Sequence, residues 1–253
     1  MERWSGRVAI VTGASAGIGA ATARALAEGG MKVVGVARRA ERVQNLADEL
    51  KKEKVKGELH AIQGDVSLEE DVKRVIKWTR DTLGGVDVLV NNAGLAPLTL
   101  LSELDASVMK KIFETNVFGL CYFTSEALKD MKSRGVDDGH IVHVSSVAGT
   151  YIPDFSGTGP YAASKHSVKV FTEILRREMR DMKTKMRVTC ICPGLVETEI
   201  FSASGFPEDA QKGLSNEPNL KAKDVADAII FAVSAPPHVQ IHDIVMHPTG
   251  EKF

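Results

Sequence analysis

Short apolar runs alternate with longer helical patterns along the whole sequence, and this alternation constrains the fold more than any other feature. A run without polar residues at alternate positions is typical of a strand buried on both faces, as in a parallel sheet. Such runs lie at residues 8–11, 33–36, 86–90, 141–144, 188–191 and 244–246, and a weaker one lies at residues 58–62. Helical patterns separate them at residues 18–28, 40–53, 68–83, 107–132, 161–182 and 223–234.

This order of strands and helices predicts an α/β fold: a Rossmann-type, doubly wound sheet of about seven parallel strands with helices on both faces. The sequence has 253 residues without a repeat or a low-complexity linker, and one α/β domain can reach that length. We therefore expect a single dinucleotide-binding domain over residues 1–253. Segment 195–220 follows a strand and carries Gly, Pro and Ser breaks, which predicts an irregular lid over the site.

Charge and composition exclude several classes of protein. The formal net charge is -1 and no long run of one sign occurs, so no nucleic acid partner is expected. No apolar stretch reaches the ~18 residues that a membrane-spanning helix needs. The three cysteines lack disulfide-framework spacing and no signal-peptide pattern opens the sequence, which favours a cytoplasmic location. Cys190 and Cys192 alternate within an apparent strand and are interpreted as buried apolar residues, so no metal site is expected.

A glycine-rich segment follows the first predicted strand and opens a helix. Its spacing is Gly-x-x-x-Gly-x-Gly, in which glycines allow a tight turn and the close approach of a pyrophosphate. The N-terminus of the helix would offer unpaired N–H groups to the phosphates. The alternative is a purely structural turn, against which its position after the first strand argues. The residues expected to bind a dinucleotide here are Gly13, Ser15, Ala16, Gly17, Ile18 and Gly19.

Two arginines, Arg38 and Arg39, follow the second predicted strand, where NAD-binding sheets carry an acidic residue for the ribose 2′-hydroxyl. Guanidinium groups bind phosphate bidentately, so the pair predicts a 2′-phosphate site and hence NADP(H) as the cofactor. A solvated basic turn is the alternative. At the end of a later strand, Asn92, Ala93 and Gly94 are expected to form a wall of the cofactor cleft.

Tyr161 and Lys165 are four residues apart at the start of a helical pattern, so their side chains share one face. A free phenol titrates near pH ~10, and a neighbouring ammonium favours the phenolate, so we expect a lowered pKa and a general acid/base. Ser146 follows the fifth main strand, either as a strand-end cap or as a hydrogen-bond donor to the reacting oxygen. Asn116 lies within a helical pattern, either on the surface or directed into the site.

Taken in this order, the residues resemble the short-chain dehydrogenase/reductase family over nearly the whole sequence. The resemblance implies that Tyr161 is the acid/base and that Lys165 binds the nicotinamide ribose and lowers the pKa of the tyrosine. It also implies that Ser146 orients the substrate oxygen and that Asn116 holds a water linking the lysine to a proton relay. The implied adenine contacts are Asp65 and Val66, and the implied nicotinamide-side contacts are Pro193, Gly194, Val196 and Thr198.

Further segments are similar to a subgroup of that family that contains the insect farnesol dehydrogenases; these segments are residues 1–4, 136–141, 192–198 and 239–244. Members of the subgroup are NADP-linked and act on 3- or 17-keto/hydroxy steroids or on isoprenoid alcohols. The resemblance also implies a homodimer or homotetramer, assembled through the two long helices that hold Asn116 and Tyr161.

The expected function is therefore an NADP(H)-dependent oxidoreductase that interconverts a hydroxyl and a carbonyl on a medium-sized apolar substrate, such as farnesol or a steroid. Apolar residues of segments 95–98, 151–153 and 195–220 are expected to line the pocket or, alternatively, to pack the lid down. Three other functions stay open: a catalytically inactive NADP-binding protein, a carbonyl reductase of small diketones or xenobiotics, and a different reaction on the same scaffold. The serine–tyrosine pair favours carbonyl chemistry over reduction of a C=C bond.

Overall fold

A computed structural model describes residues 1–251 of the chain, so the last two residues of the expected domain, Lys252 and Phe253, lie outside the described residues. The strands are β1 (Val8–Thr12), β2 (Lys32–Ala37), β3 (Glu58–Gln63), β4 (Val88–Asn91), β5 (His140–Val144), β6 (Arg187–Pro193), β7 (Val196–Glu197), β8 (Leu220–Lys221) and β9 (Asp243–Met246). The helices are α1 (Gly17–Glu28), α2 (Ala40–Glu53), α3 (Glu69–Leu83), α4 (Ala106–Phe113), α5 (Gly119–Ser133), α6 (Gly159–Asp181), α7 (Ile200–Ala203), α8 (Glu208–Asn216) and α9 (Ala222–Ser234).

Seven strands form one parallel sheet in the order β3-β2-β1-β4-β5-β6-β9, which confirms the predicted fold class. The strands β7 and β8 pair separately, also in parallel. The strand order reverses between β1 and β4, and in doubly wound sheets a ligand crevice opens at the carboxyl ends of the strands at such a reversal.

The strands are apolar throughout because helices cover both faces of the sheet. Successive residues of β1 point to opposite faces, so Ala9 and Val11 join one core cluster while Val8 and Ile10 join the other. Residues of α1, α2 and α9 complete the first cluster, and residues of α3, α5 and α6 complete the second. Full burial of a Val or Ile side chain contributes roughly 1.5–3 kcal/mol, so the alternation stabilises both layers.

The long helix predicted over residues 107–132 is interrupted at its centre. A π-helical turn, Glu114–Phe118, separates α4 from α5 and contains Asn116. A π turn holds one residue more than an α turn and often occurs at functional sites. The apolar periodicity of the two α-helices continues on either side of the π turn, so the sequence pattern did not indicate the turn.

The segment predicted to be an irregular lid is more ordered than expected. Residues 195–220 contain the short helices α7 and α8, and β7 and β8 pair across the base of the segment. Among the described residues, no helix combines the length and the apolar character needed to cross a membrane.

Candidate active site

A cavity of about 650 Å³ opens at the carboxyl ends of the parallel strands, beside the reversal of strand order. This volume falls within the ~300–1,000 Å³ typical of small-molecule sites. Of the site residues predicted from the sequence, all within residues 1–251, Gly19 and Asn116 alone lie outside the cavity lining. The predicted residues that line it are Gly13, Ser15, Ala16, Gly17, Ile18, Arg38, Arg39, Asp65, Val66, Asn92, Ala93, Gly94, Ser146, Tyr161, Lys165, Pro193, Gly194, Val196 and Thr198.

The glycine-rich turn has the backbone geometry that its composition predicts. Gly13 and Gly17 adopt φ values of +67° and +54°, a region that L side chains rarely enter. Gly19 packs behind the turn, where a Cβ atom would overlap the carbonyl oxygen of Gly13. The cap residue of α1 is Ala16, which provides no side-chain hydrogen bond, so no side chain caps the first N–H groups of the helix.

Hydrogen bonds join the ends of β1 and β4 beside this turn. The hydroxyl of Thr12 accepts hydrogen bonds from the backbone N–H groups of Asn92 and Ala93, both at 3.0 Å. The Asn92 side-chain amide donates in return to the carbonyl oxygen of Thr12 at 2.9 Å. The Asn-Ala-Gly segment predicted to wall the cleft is therefore held against the glycine-rich turn.

The arginine end of the cavity contains the carboxylate of Glu199, which also pairs with Arg42, a residue outside the cavity lining; the sequence analysis singled out neither residue. Arg39 donates to Glu199 at 3.1 Å, and Arg42 donates to both oxygens of the same carboxylate at 2.8 Å. These hydrogen bonds hold the pKa of the Glu199 carboxyl below its usual value. Arg38 and Arg39 are both exposed and line the cavity, and Glu199 lines it with them.

Asp65 and Val66 line the cavity beyond the end of β3. One oxygen of the Asp65 carboxylate accepts from the backbone N–H of Ser67 at 3.0 Å and from its hydroxyl at 2.6 Å. The Asp71 carboxylate accepts from the Asp65 N–H at 2.8 Å. The Asp65 carboxylate thus stabilises the turn after β3, and Asp65 also lines the cavity.

Tyr161 and Lys165 lie on one face of α6, as their spacing predicts. The Nζ atom of Lys165 is 5.8 Å from the centroid of the Tyr161 ring and donates to the carbonyl oxygen of Val144 at 2.9 Å. Burial lowers the pKa of Lys165 from 10.5 to about 8.

The expected lowering of the Tyr161 pKa is not found in the protein alone. Burial raises the pKa of the phenol, and the hydrogen bond with Ser146 acts in the opposite direction without overcoming it. The spacing of the two residues indicates the neighbouring ammonium, but it does not indicate how far the folded chain buries the phenol.

The two serines after β5 have different environments. The Ser145 hydroxyl donates to the carbonyl oxygen of Lys165 at 2.9 Å, which ties the strand end to α6. The Ser146 hydroxyl accepts from the Ala148 N–H at 3.1 Å, and also bonds to Tyr161. Ser146 therefore acts as a strand-end cap and at the same time faces the phenol in the cavity.

Asn116 is 2% exposed and lies behind the cavity wall, not on the surface. Its amide accepts from the Leu95 N–H and donates to the Leu95 carbonyl oxygen, both at 2.9 Å. It also donates to the Ser164 hydroxyl at 3.0 Å. The side chain thereby joins the loop after β4 to the helix that carries Tyr161 and Lys165.

A residue near the end of the chain completes the wall beside Gly194. The carboxylate of Glu251 accepts from the backbone N–H of Leu195 at 3.0 Å and pairs with His247. His247 in turn stacks against Tyr151, with ring centroids 6.2 Å apart. No sequence motif marked Glu251, because 56 residues separate it along the chain from Leu195, its partner in the cavity wall.

The outer part of the cavity is apolar. Phe206, on the loop between α7 and α8, is 6% exposed and packs against Phe201 at 4.9 Å and Phe155 at 6.2 Å between ring centroids. Phe155 was not identified from the sequence. Ile152 is 76% exposed and does not line the cavity, although its segment was expected to contribute. The apolar residues of this part are Leu95, Ala96, Pro153, Phe155, Ile200, Phe201, Phe206 and Leu214.

Within residues 1–251, one trio of side chains, Cys190, Cys192 and Asp243, has ligand atoms close enough for a metal ion, all within 4.8 Å of one another. The two thiols are buried on one face of β6, as predicted, with their sulfur atoms 3.6 Å apart. The Asp243 carboxylate already has a cationic partner, the ammonium of Lys169 at 3.5 Å. Structural zinc sites use four ligands, one more than this trio offers.

Comparison with known sequences identifies relatives of the whole chain. Residues 7–208 match the family model described as short chain dehydrogenase. The farnesol dehydrogenase of Aedes aegypti is 46% identical over 254 residues, which cover 100% of both proteins. Dehydrogenase/reductase SDR family member 11 of Homo sapiens is 46% identical over 255 residues, covering 99% of this chain and 97% of that protein. The family resemblance inferred from the sequence is confirmed.

Solved structures share the fold over almost the entire chain. The closed form of serine dehydrogenase complexed with NADP+ has a TM-score of 0.87 at 33% identity, covering 97% of this chain and 96% of that one. An alcohol dehydrogenase from the archaeon Thermococcus sibiricus, complexed with 5-hydroxy-NADP, has a TM-score of 0.84 at 27% identity, covering 98% of each. A short chain dehydrogenase/reductase from Burkholderia phymatum in complex with NAD has a TM-score of 0.86 at 28% identity, covering 97% and 90%.

Proposed function

The chain belongs to the short chain dehydrogenase family of oxidoreductases, and we propose that it uses NADP(H) to interconvert a hydroxyl and a carbonyl group on a medium-sized apolar substrate. One observation carries the proposal. A single cavity is lined by the glycine-rich turn, by two arginines, by the Ser146–Tyr161–Lys165 group and by an apolar outer wall.

The residues of the inner cavity fit a dinucleotide. The N-terminus of α1 has no side-chain cap, and the glycine turn before it lines the cavity, where it would bind a pyrophosphate. Arg38 and Arg39 would hold the 2′-phosphate, Asp65 and Val66 the adenine side, and Asn92 to Gly94 the cleft wall. On the nicotinamide side, the proposed contacts are Tyr161, Lys165, Pro193, Gly194, Val196 and Thr198. Similar structures bind NADP or NAD, so the choice of NADP(H) rests on the arginines.

When bound, the nicotinamide supplies or accepts the hydride. Tyr161 would move the proton: its phenol donates to the carbonyl oxygen during reduction and becomes a phenolate, and its phenolate takes the proton of the hydroxyl during oxidation. Since the pKa of Tyr161 is raised by burial, the phenol is protonated at neutral pH in the protein alone and carries the proton that reduction consumes. The ammonium of Lys165 favours the phenolate that is left after donation. Ser146, which bonds to the phenol, would hold the substrate oxygen within reach.

Asn116 is proposed to act as a positioning residue. Its amide fixes Leu95 beside the cavity and reaches Ser164 on the helix of the tyrosine and lysine. The family resemblance adds a water held by this asparagine that links Lys165 to a proton relay, and this role stays a proposal.

The substrate is proposed to be an isoprenoid alcohol such as farnesol, or a 3- or 17-keto/hydroxy steroid. The phenylalanine cluster of Phe155, Phe201 and Phe206 supplies an apolar wall, and pockets for lipophilic ligands are built in this way. A relative that is 46% identical is named farnesol dehydrogenase. We further propose that residues 195–220 form the lid of a single domain and that the protein is cytoplasmic.

A homodimer or homotetramer is proposed to form through α4–α5 and α6. Exposed apolar side chains on these helices support this assembly, because apolar surface of this kind is removed from water at subunit interfaces. The exposed residues are Phe118, Val170, Phe171 and Ile174.

The proposal is tested by following the absorbance of NADPH and NADH with farnesol, geraniol, steroids and small diketones and their oxidised or reduced partners. The wild-type protein should turn over the isoprenoids or the steroids, and Tyr161→Phe should lower kcat by about 10²–10⁴-fold. Tyr122→Phe is the matched control, because Tyr122 packs against the core outside the cavity. Arg38→Asp should reduce the preference for NADP(H) by at least about tenfold.

Each other result assigns a different function. Binding of NADPH without turnover of any substrate would indicate a catalytically inactive dinucleotide-binding protein. Turnover of small diketones alone would indicate a carbonyl reductase of small compounds. Turnover that survives Tyr161→Phe would contradict the acid/base role of the tyrosine.

A further inference from the structure

We infer that Glu199 is a specificity-determining residue: its carboxylate pairs with Arg39, one of the two arginines proposed to bind a 2′-phosphate, and so weakens the preference for NADP(H) over NAD(H). This inference rests on the proposed function, in which the arginines after β2 recognise the 2′-phosphate. It concerns a residue at the base of the lid that no motif marks.

The carboxylate of Glu199 lies where a phosphate would be recognised. Arg42 donates to both of its oxygens at 2.8 Å, and Arg39 donates to one of them at 3.1 Å. Carboxylate and phosphate oxygens bind guanidinium groups in the same bidentate way. An anion that approaches these two arginines therefore competes with Glu199.

The arginines carry more positive charge than the carboxylate of Glu199 neutralises. Among the described residues, the Arg38 guanidinium has no ion-pair partner, while the guanidinium groups of Arg39 and Arg42 share the single carboxylate of Glu199. Without the carboxylate, Arg38 and Arg39 offer two positive charges in the cavity lining to a phosphate monoester of about −1.5 to −2. Binding of a 2′-phosphate would thus be favourable once the carboxylate has moved away.

The existing ion pairs are weak enough to exchange. The side chains of Arg39, Arg42 and Glu199 are 43%, 42% and 46% exposed. Exposed ion pairs contribute little to stability, because water competes for both partners. Glu199 can therefore release the arginines without loss of the fold.

The position of Glu199 connects this exchange to the lid. It follows Thr198, whose methyl group would be 2.9 Å from a Cβ atom on Gly17 of the glycine-rich turn. It directly precedes α7, the first helix of the lid. The carboxylate thus holds the base of the lid against α2 through Arg42.

Glu199 also supplies the acidic group that is missing from the end of β2. In NAD-binding sheets, a carboxylate at this end of the cleft accepts a hydrogen bond from the ribose 2′-hydroxyl. Glu199 lines the same cavity as Arg38 and Arg39 and can accept that bond when no phosphate is present. The residue therefore disfavours NADP(H) by competition and favours NAD(H) by direct contact.

The test measures binding of nucleotide fragments to the free protein by calorimetry. The fragments are 2′,5′-ADP, which carries the 2′-phosphate, and 5′-AMP, which does not. Glu199→Gln should bind 2′,5′-ADP at least about fivefold more tightly than the wild type, and should bind 5′-AMP no more tightly. The matched control is Glu197→Gln, two residues earlier, where the carboxylate pairs with Lys221 at 2.7 Å and lies outside the cavity lining. It should leave both affinities unchanged.

The outcomes separate this inference from the proposed function. If the wild type does not prefer 2′,5′-ADP to 5′-AMP, the proposed NADP(H) preference itself is wrong. If the wild type has that preference and Glu199→Gln leaves the affinity for 2′,5′-ADP unchanged or weaker, the role given to Glu199 is overturned. A thermal melt of each variant establishes that the fold is retained.

Discussion

The ammonium of Lys165 donates a hydrogen bond of 2.9 Å to the carbonyl oxygen of Val144, the last residue of β5. This bond directs a buried charge toward the end of the sheet, close to Tyr161 and away from bulk water. A charge that is buried in this way destabilises the fold.

Lys165→Met should stabilise the protein at pH 7. The lowering of the Lys165 pKa from 10.5 to about 8 corresponds to a destabilisation of about 3 kcal/mol at neutral pH. Loss of the donor to the Val144 carbonyl would cost about 1–2 kcal/mol, so the variant should gain about 1–2 kcal/mol in the free energy of unfolding. Urea denaturation measures this, with Lys110→Met, on an exposed lysine, as the unchanged control.

The gain from Lys165→Met should shrink as the pH rises. Since the folded pKa lies below the unfolded one, the penalty in the wild type is fully present below pH 8 and is relieved between about pH 8 and 10.5. A variant less stable than the wild type at pH 7, or a gain independent of pH, would show that the buried lysine carries no such penalty.

Mild acid should destabilise the fold through His143. This buried imidazole lies between the hydroxyls of Thr124 at 3.2 Å and Thr172 at 2.9 Å, and burial lowers its pKa from 6.5 to about 3. Below pH 6.5, His143 therefore binds a proton in the unfolded chain but stays neutral in the folded protein until the pH approaches 3. Stability should fall from pH 6.5 toward pH 3, with about 3 kcal/mol lost by pH 4.5.

The contribution of His143 can be isolated by substitution. His143→Gln should lower the free energy of unfolding at pH 7. Between pH 6.5 and 4.5, the slope of that free energy against pH should be smaller than in the wild type, by the amount that corresponds to about one proton. His238→Gln, which replaces an exposed histidine, is the control and should keep the slope of the wild type. An unchanged slope in His143→Gln would refute the assignment.

Gly19→Ala should impair dinucleotide binding. A Cβ atom on Gly19 would overlap the Gly13 carbonyl oxygen and lie 2.5 Å from the Asn92 amide nitrogen, so the glycine-rich turn must shift. We expect the Kd for NADPH to rise at least about tenfold, because the turn places the N–H groups for the pyrophosphate. Fluorescence titration measures it.

A second glycine provides the comparison. A Cβ atom on Gly213, in α8, would meet nothing within 4 Å, so Gly213→Ala should leave the Kd unchanged and the stability equal or slightly higher. Equal affinity of Gly19→Ala and the wild type would show that the turn tolerates the displacement.

The sheet and the glycine-rich turn could be predicted from the sequence because their chemistry is local. A strand covered on both faces must be apolar throughout, and Gly13 and Gly17 occupy conformations that other residues avoid. The helical spacing of Tyr161 and Lys165 likewise placed both on one face.

Contacts between distant segments and the effects of burial could not be predicted. Arg42 and Glu199 are 157 residues apart, and no local pattern indicates that they meet. The direction of the Tyr161 pKa depends on how much water the folded chain removes from the ring, which spacing alone does not reveal. The role of Asn116 depends on a π turn that leaves the neighbouring periodicity intact.

In the sheet, β1 and β4 are neighbours although β2 and β3 lie between them along the chain. The segment after β1 enters a helix on one face of the sheet, and the segment after β4 leads to helices on the other face. Because the two connections run in opposite directions, a crevice opens between them. The opening is thus a property of the winding and survives the replacement of any one side chain. The outer loops of such a sheet can therefore differ, and with them the molecules that the cavity admits, while the opening itself stays in the same place.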